Sequence, residues 1–325
     1  MILAGDIGGT NTRLALVEAA RGRLRLVADD RFPSREHPDF PTVLARFRAQ
    51  HAGAIRAAGF GVAGPVVEGR CEATNLPWVV DAAEIARQLA LPRVSLINDL
   101  EAIAYAIPAL SPADVCVLNE GRPTLGSQAV IAAGTGLGEA GLYWDGARYH
   151  PFASEGGHAD FAPRTPLEME LLRYLLTRFT RVSYERVVSG PGLVNVYAFL
   201  KETGRGEEPA WLSERLARED PAAAISRAAL EDGCPLCLQA LDLFVAVYGA
   251  EAGNLALKML AVGGVYVAGG IAPKILPKLR DGTFLEAFVT KGRLSPLLEA
   301  IPVRVILSDR AGLLGAARRA TLEEA

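Results

Sequence analysis

Lysine is scarce in this chain: it supplies five of the 34 basic residues, and arginine the other 29. Acidic side chains outnumber basic ones, 37 to 34, for a net charge of -3. That balance leaves no basic field to hold nucleic acid or an anionic membrane surface, so neither is expected as a partner. Cysteine is also rare, with only Cys71, Cys116, Cys234 and Cys237, and these make no secreted disulfide framework. Cys234-Pro-Leu-Cys237 is a lone C-x-x-C without a second Cys or His pair at matching spacing, whereas a structural zinc site wants four ligands; buried thiols on a helix are expected there. Asn, Gln and Met are sparse. With so much arginine this fits a thermophile or a high-GC genome, and composition does not separate the two. The most apolar window, Leu255 to Ala272, is broken by Lys258 and two Gly-Gly pairs, so it reads as helix, turn, strand and turn rather than a membrane span. Met1-Ile-Leu-Ala reads directly as a strand, without a charged n-region or an apolar h-region, so a cytoplasmic location is expected.

Half of the residues are hydrophobic, ample for a well-buried core, and 325 residues suggest two domains or one large one. Residues 1 to 17 read as strand, Gly8-Gly9 turn and strand, a hairpin pattern. Phe40, Val43, Leu44 and Phe47 have helical spacing, and Phe60 to Val67 reads as a strand running into the Gly64-Pro65 turn. Asp81 is placed to cap a helix from Ala82 to Ala90 with Glu84 in its first turn, and Pro92 stops it. A second cycle starts near residue 115. Ala129 to Ala133 and Glu139 to Trp144 are strands flanking Gly134-Thr-Gly-Leu-Gly138. Helical patterns follow over Pro166 to Thr180 and Leu236 to Leu260, then a strand over Val262 to Ala268. This alternation predicts an α/β architecture, and the two Gly-Thr-rich hairpins hint at an internal duplication.

Five segments carry candidate chemistry. Asp6-Ile-Gly-Gly-Thr-Asn11 combines an acid with two glycines and two polar side chains. Gly8 and Gly9 let backbone N–H groups approach an anion, Thr10 and Asn11 add donors, and Asp6 is placed to hold a hydrated Mg²⁺; the alternative is a plain hairpin with a surface Asp. Gly134, Thr135 and Gly136 make a second turn that lacks the Lys-Ser/Thr of a Walker A loop and leads into a strand, not a helix, yet it can still cradle phosphate. Gly269 and Gly270 end a buried strand and leave room for a flat ring, or simply make a strand-to-helix turn with the helix beginning near Pro273. Ser154-Glu-Gly-Gly-His158 sets Glu155 and His158 around two glycines, where they could converge on a small polar ligand or serve a structural hydrogen bond. Tyr184-Glu-Arg-Val-Val-Ser-Gly-Pro-Gly-Leu193 contains Glu185, either a ligand or a surface acid, before a tight turn into a helix from Leu193 to Lys201. To these the stretch Val94 to Ala102 adds a buried strand ending on Asn98 and Asp99. Asn or Asp there is a helix cap by default, but a carboxylate at the carboxyl end of a buried parallel strand also sits where open α/β sheets bind ligands.

Taken in order, these motifs resemble the bacterial glucokinase family of the hexokinase–actin–Hsp70 ATPase superfamily. The resemblance rests on Gly5-Asp-Ile-Gly-Gly-Thr-Asn11, Thr74-Asn-x-x-Trp78, Ile97-Asn-Asp99, Gly134-Thr-Gly-Leu-Gly138, Glu155-Gly-Gly-His-x-Asp-Phe-Ala-Pro163, Ser189-Gly-Pro-Gly-Leu193, Ala268-Gly-Gly-Ile271 and Gly312-Leu-Leu-Gly315. It is to the ATP-dependent type without the cysteine-rich zinc motif of the ROK sugar kinases. It implies a two-domain hexokinase/actin-like (RNase H-like) ATPase fold with a deep interdomain cleft. Residues 1–108 plus about 309–325 would form the small domain and 109–308 the large one. It also implies Asp99 as general base. Asn75, Asn98, Glu155, His158 and Glu185 would bind sugar hydroxyls. The turns at Gly8 and Gly134 would hold phosphates, and Gly269-Gly270 would face adenosine. The implied cofactors are ATP and Mg²⁺, and the implied substrate is glucose; a homodimer is expected, although the sequence does not give the oligomeric state. Phosphoryl transfer is mostly positioning and charge stabilisation, which suits one carboxylate, two amide-rich turns and a pocket of Asn, Glu and His without a basic clamp.

Two other classes fit less well. A sugar-responsive transcription factor needs a helix-turn-helix ahead of Asp6, where five residues leave no room. A chaperone or filament ATPase keeps the nucleotide turns but leaves Asn98-Asp99, Glu155 and His158 without a use. Within enzymes the alternative is a kinase for mannose, fructose or an N-acetylated sugar.

Overall fold

The computed structural model describes residues 1–20, 23–73 and 76–322. The chain divides into two units. One comprises Met1–Asp114, Pro151–Ala153 and Ser308–Ala325; the other comprises Val115–His150 and Ser154–Leu307.

In the first unit, β1 (Ile2–Ile7) and β2 (Asn11–Ala20) form the expected hairpin around Gly8-Gly9, and β3 (Arg23–Pro33) extends it. β4 (Ala57–Val62) runs parallel to β1. It begins and ends earlier than the stretch from Phe60 to Val67 that its composition suggests, because its partner β1 fixes its register, with Asp6 opposite Gly61. A small two-stranded ribbon, β5 (Arg70–Glu72) with β6 (Val79–Asp81), intervenes before β7 (Ser95–Asn98) joins β4 in parallel. The five-stranded order is β3-β2-β1-β4-β7. Asp39 caps α1 (Phe40–Gln50), and Asp81 caps α2 (Ala82–Leu89) by accepting from the Ala83 and Glu84 N–H groups. The helix α3 (Asp99–Ala106) starts directly where β7 ends.

Period-two alternation sorts the sheet's two faces. Leu3, Ile7, Phe60 and Val62 join Phe40, Phe47 and Trp78 in one core, whereas Ile2 and Ala4 pack on Leu313, Ala316 and Ala317 of the helix Ala311–Leu322. Glycine governs the second face. A Cβ on Gly59 would overlap the Ala316 carbonyl oxygen, and one on Gly61 would lie 2.9 Å from the Ala102 Cβ. Where helix Ala311–Leu322 meets α3, a Cβ on Gly315 would overlap the Ala102 carbonyl oxygen. Backbone cannot retract as a flexible side chain can, so Gly315→Ala should push the two helices apart. We expect a loss of about 1–3 kcal/mol, the usual cost of overpacking, measured by denaturant unfolding. An unchanged unfolding midpoint would mean that the helices adjust freely.

The second unit repeats the plan. β8 (Val115–Asn119) lies at one edge; β9 (Gln128–Ala133) and β10 (Leu137–Trp144) form a hairpin around Gly134-Gly136, and β11 (Tyr149–Ser154) lies beyond β10. β12 (Gly264–Ala268) is parallel to β9, and β13 (Val303–Ile306) is parallel to β12. A hairpin followed by two parallel strands is the order of β2-β1-β4-β7 as well, so the duplication hinted at by the Gly-Thr turns is a repeated topology. Helices α4 (Pro166–Leu176), α5 (Gly190–Glu202), α6 (Ala210–Arg218), α7 (Pro221–Leu230) and α8 (Pro235–Met259) follow β11 in order. By length and composition alone α8 could cross a membrane, but 78% of its most apolar window is buried against this unit. Its Gly249 and Gly253 allow close approach of the Phe284 and Phe288 carbonyls, and Cys234 and Cys237 at its start are free and buried. After Gly269-Gly270 the chain continues in turns, and the helix expected near Pro273 is confined to Leu276–Leu279.

Candidate active site

In the first unit the carboxyl ends of three parallel strands bring Asp6, Gly61 and Asn98-Asp99 into one row, since Asp6 pairs with Gly61 and Val62 with Asn98. Asn98 is the cap of α3. Its Oδ1 accepts from the Leu100 N–H at 2.9 Å and the Glu101 N–H at 3.4 Å, and its Nδ2 donates to the Gly64 carbonyl at 3.1 Å. Asn98 does the capping, and Asp99 Oδ1 shares only the Leu100 N–H, at 2.9 Å. Burial is the main cause that raises the Asp99 carboxyl to about 7, and the Asp6 charge adds to it, against the Leu100 N–H and the Asn98 side chain. A carboxylate poised there takes up a proton at neutral pH, which suits a general base.

Asp6 is itself raised by burial, and Arg13 and Arg31 oppose the shift. Arg13, its partner across the hairpin, donates Nε to Asp29 at 2.8 Å and Nη1 to Asp309 at 2.9 Å. Two half-buried carboxylates that repel each other form a donor set suited to a divalent cation keeping part of its water. The adjoining turn is held from below: the Gly8 N–H donates to the Asn11 carbonyl at 3.0 Å, and Ser34 Oγ donates to the Gly8 carbonyl at 2.7 Å. Thr10 and Asn11 remain exposed. Asn75 lies outside the described residues.

In the second unit two glycine turns expected separately come together. β9 and β12 are parallel neighbours, so Gly134 and Gly269 follow adjacent strand ends. Gly269 has φ +85°, and a Cβ there would overlap the Ala133 carbonyl. Around Gly134 and Gly270 nothing among the described residues lies within 4 Å of an added Cβ, so both present open backbone, with Thr135 exposed beside them. The Gly190 N–H, at the start of α5, donates to the Gly134 carbonyl at 2.8 Å and ties the helix to the turn. Ser189 caps that helix through the Gly192 N–H. Open amides with a helix start alongside can receive phosphate oxygens.

Glu155, His158 and Glu185 also converge. His158 Nε2 stands 3.8 Å from Glu155 Oε2, and Nδ1 stands 3.9 Å from Glu185 Oε1. The short 3-10 turn Gly156–His158 sets the first two, and a second, Tyr184–Arg186, sets the third. Glu185 Oε2 accepts from the Leu137 N–H at 3.0 Å, so the same carboxylate touches the Gly136 turn. None of the three is consumed by a short contact with the others, which leaves acceptors and donors for neutral hydroxyls. Sequence reasoning did not single out the buried polar group beneath them. Glu139 and Glu251 are 1% and 0% exposed, and Asn254, Lys258 and Lys291 surround Glu251. The available signal was an acid at mid-strand among Gly138, Ala140 and Gly141, and another inside the apolar run of α8.

The chain is similar to known proteins over nearly its whole length. A family model described as Glucokinase covers residues 3–323. The chain is 45% identical to the glucokinase of Trichormus variabilis, over 98% of both chains. It is 38% identical to that of Yersinia pestis, over 97% of this chain and 94% of the relative. Among solved structures, the glucokinase of an Antarctic psychrotroph superposes with a TM-score of 0.85 at 31% identity, covering 99% and 98% of the two chains. A ROK family glucokinase from Streptomyces griseus, solved with glucose and AMPPNP, shares the fold at 23% identity and a TM-score of 0.65. With one family model spanning the chain and relatives matched end to end, this protein belongs to the glucokinase family.

Proposed function

We propose that this chain transfers the terminal phosphoryl group of ATP to the 6-hydroxyl of D-glucose, giving glucose 6-phosphate for glycolysis, with Mg²⁺ as the required cation. The observation that carries the reading is the convergence of Glu155 and Glu185 on His158, each within 4 Å of its ring, a set built for neutral hydroxyls rather than anions. Family membership makes glucose the first substrate to test.

Each residue then has a task. Asp99 accepts the proton of the attacking hydroxyl as the new O–P bond forms. In the first unit Asn98 and Asn75, and in the second Glu155, His158 and Glu185, are the groups suited to the other hydroxyls. The amides of Gly8 to Asn11 and of Gly134 to Gly136 receive phosphate oxygens, and Gly269-Gly270 lies against adenosine. Asp6 would hold Mg²⁺ through water, and the metal would supply charge neutralisation on the phosphates.

A coupled ADP-release assay over a panel of hexoses tests the proposal. Glucose should be the best substrate, turnover should vanish on chelation, and added Mg²⁺ should restore it. Faster turnover of mannose, fructose or an N-acetylated sugar would reassign the substrate. Full activity after chelation would remove the metal from the reading.

A further inference from the structure

The turn carrying Glu155 and His158 rests on a buried acid. Glu139 is 1% exposed, and its Oε1 has no hydrogen-bond partner among the described residues. A Cβ on Gly156 would overlap Glu139 Oε2, and one on Gly157 would overlap the Leu137 carbonyl oxygen. The turn is therefore seated directly on β10, over the Glu139 carboxyl. Behind that carboxyl stands Glu251 of α8, fully buried and already engaged. Lys258 Nζ donates to it at 3.0 Å and Asn254 Nδ2 at 2.8 Å. Asn254 Nδ2 also lies 3.0 Å from the Tyr184 hydroxyl, next to Glu185, and Lys291 Nζ donates to the Ala250 carbonyl at 2.8 Å. One buried polar chain thus underlies the mounts of Glu155, His158 and Glu185.

We propose that Glu139 is a positioning residue for the sugar-binding turn Gly156–His158, acting as a neutral carboxyl held between the turn's backbone and the Glu251 carboxylate. This rests on the sugar-binding role given above to Glu155, His158 and Glu185. Two ionised acids in so dry a site repel each other, and Lys258, with Lys291 farther off, offsets only part of that cost. Burial first, and Glu251 second, raise the Glu139 carboxyl to about 8 against Lys258. The titratable groups facing it are Glu251, Lys258 and Tyr248 of α8, the turn meets it through the backbone of Gly156, and Lys291 lies one residue beyond Glu251 in the chain of contacts. Lys291 is lowered to about 8 by burial and so titrates in the same range. As pH rises through this range Glu139 ionises, is repelled by Glu251, and the turn above it loses its seat.

The test is the pH dependence of KM for glucose at saturating ATP, in the whole protein and in Glu139→Gln, whose amide keeps the shape and a donor without titrating. About nine-tenths of a group centred near 8 is ionised at pH 9, so the wild-type KM should rise about tenfold from pH 7 to pH 9 while kcat changes less. Glu139→Gln should bind as wild type at pH 7 and stay flat to pH 9. A wild-type KM that does not change overturns the proposal. A rise that persists in Glu139→Gln also overturns it and points to Lys291. If the enzyme turns over another hexose in place of glucose, the same profiles are read on that sugar. Failure of the substrate reading then stays distinct from failure of this one.

Discussion

Asp99→Asn lowers kcat for glucose phosphorylation by about 10²–10⁴-fold and leaves glucose binding close to wild type. The substitution preserves shape and an oxygen for the Leu100 N–H, which Asp99 Oδ1 accepts at 2.9 Å. It does not uncap α3, because the capping side chain is Asn98. What it removes is the group that takes the hydroxyl proton. The pH profile gives a second readout. Asp99 is raised to about 7, chiefly by burial, so it is protonated and idle at low pH, and wild-type kcat should fall as pH drops below about 7. The residual rate of Asp99→Asn should lack that limb. Bound Mg²⁺ would move the limb to lower pH by favouring the carboxylate. A variant that keeps more than about half of the wild-type kcat would return Asp99 to a structural part in the strand-to-helix junction.

Alanine at His158 or Glu185 raises KM for glucose by about 10- to 150-fold, the equivalent of about 1.5–3 kcal/mol for a lost hydrogen bond to a charged group. The two differ in what else they disturb. His158 is 56% exposed on its side chain, so its truncation should leave the unfolding midpoint unchanged. Glu185 also holds the Leu137 N–H, and Gly136 sits against its carboxylate. Its truncation should therefore raise KM for ATP as well, whereas His158→Ala should not. Steady-state kinetics with each substrate varied in turn separates these outcomes. A glucose KM within about twofold of wild type in both variants would remove the pair from sugar binding. Zinc lost from His158→Ala on metal analysis would give that histidine a different role.

Local chemistry made much of this protein legible from its residues alone. The Gly8-Gly9 and Gly134-Gly136 hairpins, the helix behind Asp81, the stop before Pro92 and the junction at Asn98-Asp99 each depend on neighbours a few positions away in the chain. The ordered motifs carried the family, because their glycines and polar residues recur in one sequence order that a plain α/β domain has no reason to keep. Tertiary structure decided the rest. Asp6 acquires Gly61 as a neighbour from a strand over fifty residues away, and that register, not the apolar run from Phe60, sets the bounds of β4. Whether Asn98 or Asp99 caps α3 depends on which side chain reaches the Leu100 and Glu101 N–H groups while its other end meets Gly64. The short extent of the helix after Gly269-Gly270 follows from turns packed on β9, which Pro273 does not announce. Glu139 looked like an ordinary acid on a strand, and only the approach of α8 turns it into a buried carboxyl facing Glu251. Spacing along the chain reports bonds between near neighbours. Burial, register and the proton affinity of an acid are set by atoms that folding brings in from far along the sequence.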